Sequence, residues 1–189
     1  MTQAGSLFAS TFSLPALTLV IGGARSGKSG VAERLVTATG RARSYIATAQ
    51  AFDDEMRSRI DRHRSDRGPA WHTIEAPQDV AGALAKVDPT GVVLLDCATL
   101  WLSNVMLAGE DVDRASLALV ETLAGSPAPV VVVSNEVGWS IVPENALARQ
   151  FRDAQGRLNQ RLAARADLVV AVMAGLPLTL KGSLPAGWV

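Results

Sequence analysis

The stretch GGARSGKS, residues 22–29, matches the pattern G-x-x-x-x-G-K-[ST] of a loop that binds nucleotide phosphates. Glycines let the backbone amides of such a loop approach phosphate oxygens, and the start of the following helix favours negative charge. The pattern predicts that Lys28 contacts the β- and γ-phosphates and that Ser29 holds Mg²⁺. It does not say which phosphorus atom is attacked.

Carboxylates end two apolar runs further along the chain. Asp96 ends VVLLD, and in enzymes with a phosphate loop a carboxylate at this place holds the Mg²⁺. Ligands of open α/β sheets bind at the carboxyl ends of strands, so Asp96 is predicted as the second metal ligand. Glu136, in SNEVG, ends the next run. Two interpretations stay open for it: a role on a hydroxyl or the metal, and a purely structural role. Cys97 is interpreted as a small buried hydrophobe.

A histidine among arginines stands out in DDEMRSRIDRHRSDRGPAW. Met56, Ile60 and His63 share one helical face, so the spacing directs His63 toward the protein body. The nearby guanidinium groups would suit a triphosphate, and they disfavour the imidazolium, which leaves a neutral ring nitrogen able to attack. The spacing alone nevertheless favours a structural histidine on a solvated helix. The arginines are Arg59, Arg62, Arg64 and Arg67.

Glu75, in TIEAP, follows this helix. A carboxylate accepts hydrogen bonds from N1 and N2 of guanine, a donor pair that adenine lacks, and would therefore select GTP. Taken alone, the pattern favours a surface glutamate. His72, beside Trp71, has no setting comparable to that of His63 and is interpreted as structural.

Apolar runs alternate with amphipathic stretches, which predicts an α/β, single-domain P-loop nucleotide-binding fold. The expected sheet is mostly parallel, with helices on both faces. Strands are predicted over 17–23, 44–49, 91–97, 129–138 and 168–175, with a brief extended piece over 71–77. Helices are predicted over 29–39, 53–67, 79–87, 114–125 and 144–166.

Composition narrows the class of protein. The 18 basic and 18 acidic residues cancel, so no basic field indicates a nucleic-acid or acidic-membrane partner. One cysteine excludes an internal disulfide framework and a multi-cysteine zinc site. No apolar run reaches the roughly 20 residues of a membrane span, and residues 1–16 lack the charged start of a secretory signal. We expect a cytoplasmic protein in which 1–16 is a flexible tail and 17–189 is the catalytic domain.

Together these stretches resemble one family, the bifunctional adenosylcobinamide kinase / adenosylcobinamide-phosphate guanylyltransferases of cobalamin biosynthesis. The phosphate loop is shared with many families, whereas DDEM…RI…H and NEVG…VPEN are much more specific. The similarity runs from about residue 17 to 176. The matching stretches are GGARSGKS, YIATAQAFDDEMRSRIDRHR, LLDCATLWLSN, SNEVGWSIVPEN and ARQFRDAQGRLNQRLAARADLVV.

The resemblance implies two reactions and a homotrimer. One reaction phosphorylates the aminopropanol hydroxyl of adenosylcobinamide, using ATP or GTP. The other transfers GMP from GTP to that phosphate through a histidine–GMP intermediate, giving adenosylcobinamide-GDP and pyrophosphate. His63 matches the guanylylated position and becomes the expected nucleophile, with Lys28 as the other catalytic residue. The implied nucleotide contacts are Gly22, Gly23, Ala24, Arg25, Ser26, Gly27, Lys28, Ser29, Ala47, Thr48, Ala49, Arg64, Ser65, Asp66, Arg67, Glu75 and Asp96.

Two other functions use only part of this set. A single-function P-loop kinase acting on another small alcohol needs Lys28, Ser29 and Asp96 but has no use for His63. A binding module switched by ATP or GTP needs neither a histidine adduct nor a corrinoid pocket. Covalent capture of GMP separates both alternatives from the transferase.

Overall fold

The computed structural model describes residues 12–50, 68–184 and 188. Within these ranges seven strands form one sheet in the order β3-β2-β4-β5-β1-β6-β7. The strands are β1 (Leu17–Gly22), β2 (Arg43–Ala47), β3 (Trp71–Glu75), β4 (Val92–Asp96), β5 (Val130–Asn135), β6 (Leu168–Met173) and β7 (Leu176–Lys181). The helices are α1 (Lys28–Ala38), α2 (Val80–Leu84), α3 (Ala98–Leu107), α4 (Val112–Ala124) and α5 (Ala146–Arg165). This arrangement confirms the predicted α/β class.

The first six strands pair in parallel, and β7 runs antiparallel to β6. Parallel pairing brings the carboxyl ends of the strands to one edge of the sheet, which is where ligands bind in such folds. The register is direct evidence of this: Ala47 pairs with both Glu75 and Asp96, and Gly22 pairs with Asn135. The candidate residues from distant parts of the sequence therefore share one edge.

Helices cover both faces of the sheet, because successive residues of a buried strand point to opposite sides. Helix α1 packs on one face, where Leu35 meets Val131 and Val170; we call this the α1 face. Helices α2 to α5 pack on the other face, where buried side chains such as Leu102 and Leu158 meet alternate residues of the same strands. Apolar runs without alternation follow directly from this double burial.

The structure corrects several predicted boundaries. Strand β5 ends at Asn135 rather than continuing to residue 138, because the Glu136 carboxylate accepts a bond from the Gly138 amide, 2.7 Å away, and turns the chain. Helix α2 is shorter than the predicted 79–87. Helix α3 and strand β7 were not predicted. The predicted helix over 53–67 lies outside the described residues. None of the described helices is long and apolar enough to span a membrane.

Candidate nucleotide-binding site

The phosphate loop joins β1 to α1 and rests on the turn after β6. A Cβ on Gly22 would lie 2.5 Å from the carbonyl oxygen of Val172, so only glycine fits there. Gly27, the residue before α1, has φ +91°, and a Cβ on it would approach the Cα of Gly175 to 3.1 Å. The Gly175 amide donates to the Ser26 carbonyl at 2.8 Å. The glycine spacing of the motif therefore reflects contacts with β6 and its turn.

Helix α1 presents its amino terminus to this loop. No side-chain hydrogen bond caps that end, and its first turn contains no acidic residue. Its first amide groups and the positive end of its dipole are therefore suited to a phosphate. Lys28 is buried, and its Nζ donates to the Gly23 carbonyl at 3.1 Å. The ammonium group thus lies against the loop itself, where the motif requires it.

Asp96 ends β4 and points to the α1 face. The hydroxyl of Tyr45 on β2 donates to Asp96 Oδ2 at 3.0 Å, and the Tyr45 ring packs edge-on against Trp71 with centroids 6.1 Å apart. Sequence reasoning missed Tyr45, because only the pairing of β2 with β4 brings it to Asp96. One oxygen of the carboxylate is thereby oriented before any ligand binds.

The Ser29 hydroxyl and the Asp96 carboxylate offer the hard oxygen ligands that Mg²⁺ takes. Among the described residues there is no group of three or more histidine, cysteine, aspartate or glutamate side chains able to hold a metal. This donor set fits an ion that keeps most of its waters and is held by one carboxylate and the phosphates of a substrate. The residues present therefore suit Mg²⁺.

Thr48 fixes the chain that leaves Asp96. Its hydroxyl donates to the Cys97 carbonyl and accepts from the Cys97 amide, each at 2.8 Å, across a cis Asp96–Cys97 peptide. Its own amide donates to the Asp96 carbonyl at 3.2 Å. The structure gives Thr48 this bracing position, and the nucleotide contact expected of Thr48 stays a prediction.

Asn104 on α3 ties together the segments that follow β2 and β3. Its side-chain Nδ2 donates to the carbonyls of Thr48 at 2.8 Å and Pro77 at 2.9 Å. Gln78 Nε2 in turn donates to the Asn104 backbone carbonyl, and the Trp101 indole donates to the Gln78 carbonyl. This buried clamp holds the edge of the sheet between Asp96 and Glu75. No local pattern in the sequence points to it.

Cys97 is buried beside this clamp. Burial, and next the charge of Asp96, raise the pKa of its thiol to about 11. The thiol therefore stays protonated at neutral pH and is a poor nucleophile. Its interpretation as a buried hydrophobe is confirmed.

The two carboxylates predicted beyond Asp96 have different settings. Glu75 ends the edge strand β3 and is exposed; it lies four strand spacings from β1, roughly 19 Å. Three strands, β2, β4 and β5, thus separate the predicted guanine contact from the strand that leads into the phosphate loop, and Ala47 and Ala49 lie between them. Glu136 lies nearer, its amide bonded to the Gly22 carbonyl at 3.0 Å, and its carboxylate stabilises the turn after β5.

The expected nucleophile and its neighbours are not among the residues that the structure describes. His63, Arg64, Ser65, Asp66 and Arg67 all lie outside the described ranges. Their roles stay predictions. His72 is exposed on β3, and its interpretation as structural stays a prediction.

Comparison with known proteins identifies relatives over nearly the whole chain. A family model described as "cobinamide kinase / cobinamide phosphate guanyltransferase" matches residues 18–180. The bifunctional adenosylcobalamin biosynthesis protein CobP of Pseudomonas aeruginosa is 46% identical over 167 residues, which is 87% of this chain and 96% of that protein. The corresponding CobU of Escherichia coli is 42% identical over 181 residues, covering 87% of this chain and 99% of CobU.

Solved structures share the fold at low sequence identity. An ATPase from the type III secretion system of pathogenic bacteria has a TM-score of 0.55 at 10% identity, covering 86% of this chain and 56% of that one. A Pyrococcus horikoshii protein has a TM-score of 0.53 at 8% identity, covering 92% and 90%. These similarities support the P-loop fold and say nothing of substrate.

Proposed function

The chain belongs to the cobinamide kinase / cobinamide phosphate guanyltransferase family, and from this premise we propose that it phosphorylates adenosylcobinamide and then guanylylates the product. The observation that carries the proposal is the 46% identity to CobP over 87% of the chain. The phosphate loop between β1 and α1 agrees with it. Each reaction requires a triphosphate held at that loop. The two differ in the phosphorus atom that is attacked.

In the kinase step the acceptor hydroxyl of adenosylcobinamide attacks the γ-phosphorus of ATP or GTP. The bond from the γ-phosphorus to the bridging oxygen breaks, the hydroxyl loses its proton, and a nucleoside diphosphate leaves. Lys28, close to the loop carbonyl of Gly23, can move its ammonium group onto the β- and γ-oxygens and stabilise the charge that develops there. The amides at the start of α1 act in the same sense.

In the transfer step a ring nitrogen of His63 attacks the α-phosphorus of GTP, and pyrophosphate leaves. A phosphate oxygen of adenosylcobinamide phosphate then displaces the histidine, giving adenosylcobinamide-GDP. Direct attack of a phosphate anion on the anionic GTP is difficult, and the covalent intermediate replaces it by two easier displacements. Arg62 and Arg64 flank His63 in the sequence and would favour its neutral, nucleophilic form.

Ser29 and Asp96 would hold Mg²⁺. When bound, the ion supplies positive charge that offsets the charge of the phosphates during transfer. Tyr45 orients the Asp96 carboxylate for this task through its 3.0 Å hydrogen bond. Glu75 would contact the guanine of GTP, and Ala47, Thr48 and Ala49 would line the nucleotide.

The proposed assembly is a homotrimer of a cytoplasmic protein. The described surface supports association between copies, since it carries apolar side chains that a monomer would leave in water. Ile141 is 94% exposed and Trp139 is 78% exposed, in the segment after β5. Leu176, Leu178 and Leu180 are exposed on one face of β7. Exposed apolar area on this scale commonly marks a contact surface.

The test is the intact mass of the protein after incubation with GTP and Mg²⁺. We expect one added GMP, stable in base and labile in acid as a phosphoramidate. His63→Ala should lose the adduct and the transfer while keeping some phosphorylation of adenosylcobinamide. The exposed His72, changed to Ala, is the matched control and should keep the adduct. Formation should fall below about pH 6.5, where a free histidine becomes protonated.

Three results would contradict this proposal in different ways. A His63→Ala protein that still takes up GMP would exclude His63 as the nucleophile. Phosphorylation without any adduct in the natural sequence would leave a single-function kinase. Binding of GTP without turnover of adenosylcobinamide would indicate a nucleotide-switched module instead.

A further inference from the structure

Asn135 ends the strand that separates the phosphate loop from Asp96. Strand β5 lies between β4 and β1 in the sheet. The register pairs Asn135 with Gly22 on one side and Val133 with Asp96 on the other. Asn135 therefore lies two residues beyond the level of the metal ligand, at the same edge as the loop.

The side chain of Asn135 points to the α1 face. Along β5, Val131 and Val133 pack in the core beneath α1, whereas Ser134 points to the opposite face and bonds Asn159 of α5. Since side chains alternate along a strand, Asn135 faces the same way as Val133. Asp96 faces this side too, as its bond to Tyr45 shows.

Both backbone groups of Asn135 are held by side chains from other elements. Its amide donates to Thr99 Oγ1 at 2.8 Å, at the start of α3, and its carbonyl accepts from Asn159 Nδ2 at 3.0 Å. The Asn159 carboxamide is fixed in turn by Ser134 and Gln155, at 2.6 and 2.9 Å. These bonds to α3 and α5 fix the backbone at the end of β5.

The Asn135 carboxamide itself is half-buried and makes no hydrogen bond to another described residue. Asn135 thus has a fixed backbone, and its side chain is directed at the ligand edge with no partner among the described residues. Such a side chain is suited to contact the ligand. Its neighbours on that edge carry opposite charges, positive on Lys28 and negative on Asp96. A neutral amide adds a donor for phosphate without repelling it.

We propose that the Asn135 side-chain amide donates a hydrogen bond to the terminal phosphate of the nucleoside triphosphate in the loop, so that the site distinguishes triphosphate from diphosphate. The proposal rests on the proposed function, which requires a triphosphate to enter and a diphosphate to leave after the kinase step. Release of the γ-phosphoryl group removes the contact, and the diphosphate is then held less tightly.

The experiment compares the affinities of a β,γ-imido GTP analogue and of GDP, each with Mg²⁺, by titration calorimetry. Asn135→Ala should weaken analogue binding by about ten-fold or more, as expected for a lost hydrogen bond to a charged group, and GDP binding by less than about two-fold. Asn135→Asp, which brings a carboxylate to the phosphate, should weaken analogue binding further than alanine does. Asn135→Ser replaces the alanine variant if that variant does not fold.

Asn145→Ala is the matched control. Asn145 Oδ1 accepts from the amides of Leu147 and Ala148 at the start of α5, so its loss should lower the melting temperature and leave the ratio of the two affinities unchanged. An equal loss of both ligands in Asn135→Ala, or no loss, overturns the phosphate contact. Failure of the natural sequence to bind either nucleotide would instead overturn the loop assignment on which the proposal rests.

Discussion

Lys28 is buried, whereas Arg25, the other basic residue of the loop 22–29, is exposed. We expect Lys28→Ala to weaken GTP binding by at least ten-fold, because a charged hydrogen-bond donor to phosphate contributes roughly 1.5–3 kcal/mol. Kinase and transfer activities should both be lost. Lys86→Ala, at an exposed position after α2, should bind GTP normally. If calorimetry gave Lys28→Ala the same affinity for GTP as the natural sequence, the loop would not be the phosphate-binding site.

Glu75 tests how the base is recognised. Replacing its carboxylate by an amide in Glu75→Gln should reduce the preference for GTP over ATP in the transfer step, by roughly 1.5–3 kcal/mol or about 10- to 150-fold. Rates of adduct formation with the two nucleotides give this ratio. Glu136→Gln is the control, since that carboxylate already accepts from the Gly138 amide. An unchanged preference in Glu75→Gln would remove Glu75 from base reading and agree with its distance from the loop.

At the scale of the elements, helix α3 contributes to the stability of the fold through the hydrogen bonds of Asn104 at the site. Asn104→Ala leaves the carbonyls of Thr48 and Pro77 without their donor in a buried place, which should destabilise the fold by about 2–3 kcal/mol. Urea denaturation should show a lower midpoint with an unchanged slope. Ser103→Ala, on the same helix, should change the midpoint little. Equal stability of the two variants would mean that the clamp does not hold the sheet edge.

The elements also show how far the sequence predicts this site. The phosphate loop and Asp96 follow from short contiguous patterns, and the buried strands follow from apolar runs. Helix α3 was missed because ATLWLSNVML starts directly after a strand and is apolar on most sides, so no clear period separates the two. Strand β7 was missed because LPLTLK contains a proline and depends on pairing with β6. Tyr45, Asn104 and Asn135 gain their partners only through tertiary contacts.

For the molecule as a whole, Cys97 predicts a loss of stability at alkaline pH. Its thiol pKa is raised from 9.0 to about 11 in the folded state. Above pH 9 the unfolded chain releases this proton while the folded protein keeps it, so unfolding becomes easier until pH 11. The loss should approach 3 kcal/mol at most, since each pKa unit corresponds to about 1.4 kcal/mol.

The measurement is the free energy of unfolding of the natural sequence and of Cys97→Ala between pH 8 and 11. The difference between the two proteins isolates the contribution of the thiol from that of every other group. The natural sequence should lose stability faster above pH 9. Parallel curves would show that Cys97 ionises equally in both states.

The inaccessible thiol also makes the chain ready for spectroscopy. Cys97 is its one cysteine, and in the native state it is shielded from reagents in solution. A second cysteine placed at the exposed Lys86 would consequently be the sole position at which a nitroxide attaches. Dipolar coupling among such labels would count the copies in the assembly and measure their separation, with no need to remove the native cysteine first.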